Sequence, residues 1–195
     1  MSQRRLILAS ASPRRAELLR QMGLRFEVRA ADVDESRRRG EAPADYVARL
    51  AADKARAGHV ADSVSLGADT AVVVGRRILG KPTDRAAGVA MLQALSGREH
   101  RVMTAVAGYD GARLLGHTVV TRVRFRAVPV WEAEAYWATG EGADKAGGYG
   151  IQGIGGIFAE RIRGSYSAVV GLPLAETEML LREFGFDTWR ERVHV

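Results

Sequence analysis

The residue with the clearest chemical potential in this sequence is an aspartate inside an apolar segment. Asp69 lies within the β-prone run from Ser65 to Val74. A carboxylate buried in such a strand costs several kcal/mol unless a cation, a metal or a group of donors meets it. Asp69 is therefore a metal ligand or general base, or else a strand-end aspartate that pairs with a nearby arginine or with the backbone.

A second group of residues favours binding of an anion. A short apolar run is followed by Ser10, Ser12, Pro13, Arg14 and Arg15. The pair Ser12-Pro13 suits the start of a helix. A helix N-terminus offers free N–H groups and a positive dipole end, which bind phosphate. Two arginines in that first turn indicate a nearby anion, although they also fit a solvated surface.

The few lysines form a third group. Lysine occurs only at Lys54, Lys81 and Lys145 among 29 basic residues. Either these lysines survive by chance in an arginine-rich composition, or they mark places where the planar fork of arginine does not serve. Lys54 shares a helical stripe with Val47 and Leu50, and we expect its stem to pack inward. Lys81 follows a hairpin in a constrained turn, from which its ammonium can reach a phosphate. Alternatively, Lys54 is an ordinary lysine near a helix end that extends its charged tip into solvent, and Lys81 is an ordinary loop lysine.

Two loops add oxygen and amide groups. Asp32, Asp34 and Glu35 form an acidic segment whose hard oxygen ligands suit Mg or Mn, or else a solvated acidic loop. Gln152 lies in a glycine-rich stretch in which a ligand can approach the backbone and an amide can read a base edge. A turn without function is the alternative, and the spacing matches neither a Walker loop nor a dinucleotide fingerprint.

Alternating strands and helices must position these groups. Hydrophobic periodicity and turn residues predict strands at 6–9, 26–30, 65–74, 78–79, 100–109, 113–126 and 157–162, and helices at 13–22, 43–57, 84–95, 132–139 and 174–184. In the sixth strand, Val123 and Phe125 alternate with arginines, so we expect one face of the strand to be exposed to solvent. The interleaving predicts an α/β or mixed α+β fold.

Composition limits the classes of protein that the chain can belong to. Its 195 residues, 47% of them hydrophobic, fit one domain over residues 1–195. The absence of cysteine excludes disulfides and thiolate metal sites. A net charge of +6 favours anionic partners, which include nucleic acid, membrane surfaces and phosphorylated small molecules. No apolar run has the length of a membrane span, and we expect a cytoplasmic protein.

Eight short motifs follow one another along residues 6–185: Leu8 to Arg15, Lys54-Ala55, Gly67 to Thr70, Gly80-Lys81-Pro82, Leu95-Ser96-Gly97, Asp144 to Gly153, Gly164-Ser165-Tyr166 and Val169 to Pro173. In this order they resemble the motifs of the Maf family. Each motif alone is weak evidence, whereas their number and order make the resemblance specific.

The resemblance implies a nucleoside triphosphate pyrophosphatase with an elongated mixed sheet flanked by helices, two lobes around a central cleft, and a homodimeric assembly. It implies that Asp69 is the catalytic base and, with Glu35, binds a divalent metal cation, Mg or Mn. Substrate binding is implied for Ser10, Ser12, Arg14, Arg15, Lys54, Thr70, Lys81 and Gln152. The stretch from Tyr149 to Gly153 resembles the subgroup that acts on dTTP and UTP.

We therefore expect hydrolysis of dTTP and UTP to the monophosphate and pyrophosphate. The 7-methyl-GTP-type activity of the family and a regulator that binds nucleotide or nucleic acid without cutting are the alternatives. Dispersed arginines, with no basic run interleaved with aromatic residues, weigh against nucleic acid. We expect a nucleoside triphosphate as substrate and neither nucleic acid nor membrane as partner.

Overall fold

A computed structural model describes residues 4–190. Its strands are β1 (Arg5–Leu8), β2 (Glu27–Val28), β3 (Ser63–Val74), β4 (Arg77–Leu79), β5 (Glu99–Tyr109), β6 (Leu114–Phe125) and β7 (Ala159–Arg163), and its α-helices are α1 (Pro13–Gln21), α2 (Pro43–Gly58), α3 (Arg85–Leu95), α4 (Val130–Ala138), α5 (Tyr166–Val170) and α6 (Leu174–Glu183). None of the helices within residues 4–190 combines the length and apolar character that crossing a bilayer requires.

The strands form a mixed sheet. Six of the seven strands in the described residues follow the order β2-β1-β3-β5-β6-β7, and the seventh, β4, pairs with β3. Strand β1 runs parallel to β2 and β3, whereas β3 and β4 pair antiparallel, as do β6 and β7. Together with the helices between the strands, this sheet confirms the predicted mixed α/β class.

The described residues divide into two compact units. The first unit comprises residues 4–69, 104–119 and 171–190, and the second comprises residues 70–103 and 120–170. Strands β3, β5 and β6 contribute residues to both units. The single domain predicted over residues 1–195 and the central cleft implied by the resemblance stay predictions.

The second unit has a core rich in aromatic side chains. Phe125 packs edge-on against Tyr149 with ring centroids 4.7 Å apart, and Tyr136 contacts Phe158 at 5.2 Å. All four side chains are buried. The predicted alternation of β6 is confirmed, because Val123 and Phe125 are buried while Arg122 and Arg124 are exposed. This core supports the turns that carry Lys81 and Gln152.

One predicted element begins in the wrong place. The strand expected from residue 157 starts only at Ala159, and a 3-10 helix precedes it at Ile154–Phe158. Phe158 is buried in the aromatic core, whereas Ile157 is 61% exposed. Two glycines in the short helix permit this tight turn, and the apolar residues around them imitate a strand in the sequence.

Candidate active site

Three charged side chains meet in the first unit. The Nζ atom of Lys54 lies 2.8 Å from Oδ1 of Asp69 and 2.6 Å from Oε1 of Glu35. We call these three residues the Lys54 cluster. Lys54 is 8% exposed and Asp69 is 7% exposed, whereas the side chain of Glu35 is open to solvent. Burial of Asp69 thus requires the positive charge that Lys54 supplies.

Close packing of α2 on β3 positions this cluster. The apolar stripe of α2 is buried, as predicted, and Lys54 is buried within it. Gly67 permits the approach, since a Cβ atom there would overlap the carbonyl oxygen of Ala51 and the amide nitrogen of Ala55. Because both obstacles are backbone atoms, any larger residue would push the helix away. The glycine two residues before Asp69 therefore brings the lysine and the carboxylate together.

The electrostatics of the cluster favour a proton acceptor. Burial raises the pKa of Asp69, although the charge and hydrogen bond of Lys54 and the charge of Arg15 oppose that shift. Burial also lowers the pKa of Arg15, while the charge of Asp69 partly offsets the change. A carboxylate with a raised pKa accepts a proton more readily than one in water.

The segment before α1 orients Arg15. The Nη1 atom of Arg15 donates to Oγ of buried Ser10 at 3.2 Å, and Nε donates to the carbonyl of Gly171 at 2.9 Å. Ser12 is the N-cap residue, as predicted, but its hydroxyl makes no capping hydrogen bond. Arg14 is half-buried in the first turn of α1. The structure thus places Arg15 and Ser10 in direct contact and sets the direction of the guanidinium.

Sequence reasoning missed the residues that hold the acidic loop. The hydroxyl of Tyr46 donates to the carbonyl of Glu35 at 3.0 Å. Arg49 binds the carboxylate of Glu41 at 2.6 and 2.9 Å, and it also donates to the carbonyl of Ser36. Both side chains project from α2 beside its buried stripe. Their helical spacing is the one sequence signal that could have indicated a contact with the acidic loop.

The structure separates the acidic residues that the sequence groups together. Asp34 accepts the N–H of Ser36 within a local turn, and only Glu35 of the acidic segment reaches Lys54. Among residues 4–190, no cluster of three or more Asp, Glu or His side chains could enclose a metal ion. Mg²⁺ commonly uses one or two protein carboxylates together with phosphate oxygens and water. Glu35 and Asp69, each with a second carboxylate oxygen, fit that pattern.

The remaining predicted residues belong to the second unit. Thr70 is half-buried next to Asp69 in β3, whereas Lys81 and Gln152 are exposed. The turn with Lys81 is fixed through its backbone, because the N–H of Gly147 donates to the carbonyl of Gly80 at 3.0 Å. The roles that the resemblance implies for these three residues stay predictions.

Comparison with known proteins gives one family along nearly the whole chain. The family model described as Maf-like protein matches residues 5–184. A protein of Hahella chejuensis is 52% identical over 195 residues, which cover 96% of both chains. A protein of Saccharophagus degradans is 53% identical, with 95% of this chain and 91% of the relative covered. One of Vibrio cholerae is 52% identical, with 92% and 98% covered. All three relatives are named dTTP/UTP pyrophosphatase.

Proposed function

The chain belongs to the Maf family, and on that basis we propose that it hydrolyses dTTP and UTP to the nucleoside monophosphate and pyrophosphate. Relatives that share about half of its residues carry the name of that activity. The observation that carries the proposal is the buried contact between Lys54 and Asp69, in which a carboxylate of raised pKa lies within the electrostatic reach of Arg15.

Asp69 is the general base in this mechanism. Lys54 holds Oδ1, so that Oδ2 can orient a water molecule and take its proton. The water oxygen attacks the α-phosphorus, the bond from that phosphorus to the bridging oxygen breaks, and pyrophosphate leaves. Asp69 then returns the proton to solvent. A reaction in water enriched in ¹⁸O tests the direction of attack, because the label must appear in the monophosphate and not in the pyrophosphate.

Cations of the chain stabilise the charge that develops on the triphosphate. Arg14, Arg15, Lys54 and Lys81 supply this stabilisation, which is mainly electrostatic in phosphoryl transfer. Arg15 is held in advance by Ser10 and Gly171, so less ordering accompanies binding. Loss of one such contact costs roughly 3 kcal/mol, or about a hundredfold in rate.

Glu35 and Asp69 would hold the divalent cation, Mg or Mn. When bound, this cation supplies positive charge to phosphate oxygens and acidifies water. Chelation of the cation is expected to abolish pyrophosphate release, and addition of Mg or Mn is expected to restore it. Full activity in excess chelator would contradict this part of the proposal.

Base recognition is assigned to Gln152, whose amide can hydrogen-bond a pyrimidine edge. The homodimer and the cytoplasmic location implied earlier belong to the same proposal. Light scattering should then give a mass of twice 21.1 kDa, the mass of one chain. A mass of one chain at micromolar concentration would contradict the dimer without affecting the activity.

A substrate panel tests the function. Pyrophosphate release is measured with dTTP, UTP, CTP, 7-methyl-GTP, GTP and ATP in the presence of Mg or Mn. The proposal predicts the highest kcat/KM for dTTP and UTP. A preference for 7-methyl-GTP would assign the chain to the other activity of the family. Tight triphosphate binding without release would indicate a sensor, and binding of RNA that weakens steeply with salt would indicate a nucleic-acid-binding regulator.

A further inference from the structure

The segment that carries Gln152 needs external contacts to hold its shape. Residues 150–155, here called the Gln152 loop, contain three glycines. Gln152 is exposed and makes no hydrogen bond within the described part of the chain. Glycine loses more backbone entropy on ordering than any other residue. An ordered loop of this composition therefore depends on groups outside it.

Glu141 and Tyr136 supply those contacts. The Glu141 carboxylate accepts the N–H of Ile154 at 2.8 Å and the N–H of Gly155 at 3.0 Å. The hydroxyl of Tyr136 donates to the same carboxylate at 2.9 Å and accepts the N–H of Gly150 at 3.0 Å. One hydrogen-bonded network thus binds the loop near both of its ends.

Two glycines of the loop leave room for the side chains of this network. A Cβ atom on Gly153 would overlap the carboxylate of Glu141, and one on Gly155 would lie 2.9 Å from the hydroxyl oxygen of Tyr136. The absence of side chains at these two positions is what lets the carboxylate and the hydroxyl reach the backbone. The positions of these glycines therefore match the places where Glu141 and Tyr136 approach the loop.

Hydrogen bonds from the loop stabilise the negative charge of Glu141. Burial alone would raise the pKa of Glu141, but the N–H groups of Gly155 and Ile154 and the Tyr136 hydroxyl outweigh burial and lower it. The neighbouring ammonium of Lys145 instead contacts the backbone carbonyl of Glu141 and the carboxylate of Asp144. The ionised carboxylate of Glu141 is thus positioned to bind backbone donors of the loop.

We propose that Glu141, with Tyr136, is a positioning residue that fixes the Gln152 loop and thereby sets the affinity and selectivity for the pyrimidine base. The inference rests on the proposed function, since it requires Gln152 to read the base. A side chain that reads a base binds it with a smaller ordering cost when its backbone is held in place before the substrate arrives. In this role Glu141 acts through the backbone of the loop.

The test compares Glu141→Gln with the wild-type chain, with UTP and CTP as substrates. The amide turns one acceptor oxygen into a donor that faces backbone N–H groups. We expect KM for UTP to rise about tenfold, the size of one lost hydrogen bond to a charged group. We also expect the preference for UTP over CTP to fall by a similar factor and kcat to change less than about threefold. Glu134→Gln is the matched control, because Glu134 lies on α4, the helix that carries Tyr136 and ends at Ala138, and pairs with Arg85 at 2.9 Å.

A double-variant cycle separates positioning from general stability. In a Gln152→Ala background, Glu141→Gln should change KM for UTP less than about twofold, because the side chain through which it acts is gone. An undiminished tenfold effect in that background would overturn the proposal. If Glu141→Gln does not fold, Tyr136→Phe replaces it in the cycle with the same expected result.

Failure of this inference can be distinguished from failure of the proposed function. If the wild-type chain releases no pyrophosphate from dTTP or UTP, the proposed function fails. If it releases pyrophosphate but Glu141→Gln and Tyr136→Phe keep wild-type KM and selectivity, only the positioning role fails. Amide exchange gives a reading without nucleotide: the N–H groups of Gly150 and Gly155 should exchange faster in Tyr136→Phe, and unchanged protection would contradict the role.

Discussion

The Lys54 cluster and the Gln152 loop hold their functional groups by different means. In the cluster, buried side chains of opposite charge contact one another directly, and Lys54 and Asp69 are each less than a tenth exposed. In the loop, Gln152 is exposed, and its position depends on backbone N–H groups that bind Glu141. Under the proposed function, burial sets the chemistry of the cluster, and backbone order sets the base selectivity of the loop.

This difference assigns separate effects to the two regions. A change in the cluster alters charge balance, and it should affect turnover and pH dependence. A change around the loop alters the position of an amide, and it should affect KM and the choice of base. Substitutions in each region can therefore separate the two effects.

Removal of the buried ammonium should break the cluster most severely. In Lys54→Met, Asp69 stays buried without its cation, and the free energy of unfolding should fall by about 4 kcal/mol at pH 7. The pKa of Asp69, already raised by burial, rises further, so the lost stability should return as the pH falls and the carboxyl binds a proton. Urea denaturation at pH 7 and pH 5 measures both effects. The double variant Lys54→Met/Asp69→Asn should lack this pH dependence, and equal pH dependence in both variants would contradict the pairing.

Separation of α2 from β3 should disturb the cluster without changing a charge. Gly67→Ala places a Cβ atom against backbone atoms of α2, and it should lower the free energy of unfolding by about 3 kcal/mol. A displacement of Lys54 relative to Asp69 by about 1 Å should also lower kcat about a hundredfold. Gly116→Ala is the control, since its Cβ atom would meet the carbonyl of Val106 only at 3.0 Å. Normal turnover in Gly67→Ala would show that the close packing does not position the cluster.

The free energy of unfolding should depend on pH through His100, a neutral histidine in the aromatic core of the second unit. Burial lowers the pKa of His100 to about 4, and its Nε2 atom lies 2.8 Å from the hydroxyl of Tyr149. The unfolded chain binds a proton near pH 6.5 while the folded chain does not, so stability falls as the pH is lowered between these values. Between pH 7 and pH 5 the contribution is about 2 kcal/mol. In His100→Gln, calorimetric stability should lose this part of its pH dependence, and an unchanged slope would exclude His100 as its source.

The smallest effect is expected on the exposed face of the second unit. Arg124 lies directly opposite Arg161 in the pairing of β6 with β7, and facing like charges destabilise a sheet. Arg161→Glu should raise the free energy of unfolding by about 0.5 kcal/mol at low salt. The gain should disappear in 1 M NaCl, where the screening length is about 3 Å. A gain that persists in high salt would point to packing rather than charge.

The sequence indicates the cluster better than the loop for a physical reason. An aspartate among β-branched residues demands a partner, and the inward stripe of α2 predicts that the stem of Lys54 is buried, although no pattern in the sequence pairs the two. The path of residues 31–36 decides which carboxylate of the acidic segment reaches Lys54. Tyr46 fixes that path by donating a hydrogen bond to the backbone carbonyl of Glu35. The helical spacing of Tyr46 and Arg49 is the one trace that this contact leaves in the sequence.

The network around the Gln152 loop is harder to predict. Glu141 looks like an ordinary surface glutamate, because its partners are backbone N–H groups that every residue except proline carries. The early start predicted for β7 has a related cause, since the apolar residues around Gly155 and Gly156 suit both a strand and a tight turn. Tertiary contacts of Phe158 decide between these two structures.

The most direct test of the central claim is dTTP turnover by Asp69→Asn with dTTP affinity measured on the same sample. Asp110→Asn is the control, because Asp110 is also a sheltered carboxylate of the first unit that binds arginine. We expect Asp69→Asn to bind dTTP within about tenfold of the wild-type chain while kcat falls by roughly a thousandfold, in the range of general-base catalysis. Asp110→Asn should retain kcat. Near-normal kcat in Asp69→Asn would show that the buried carboxylate is not the base.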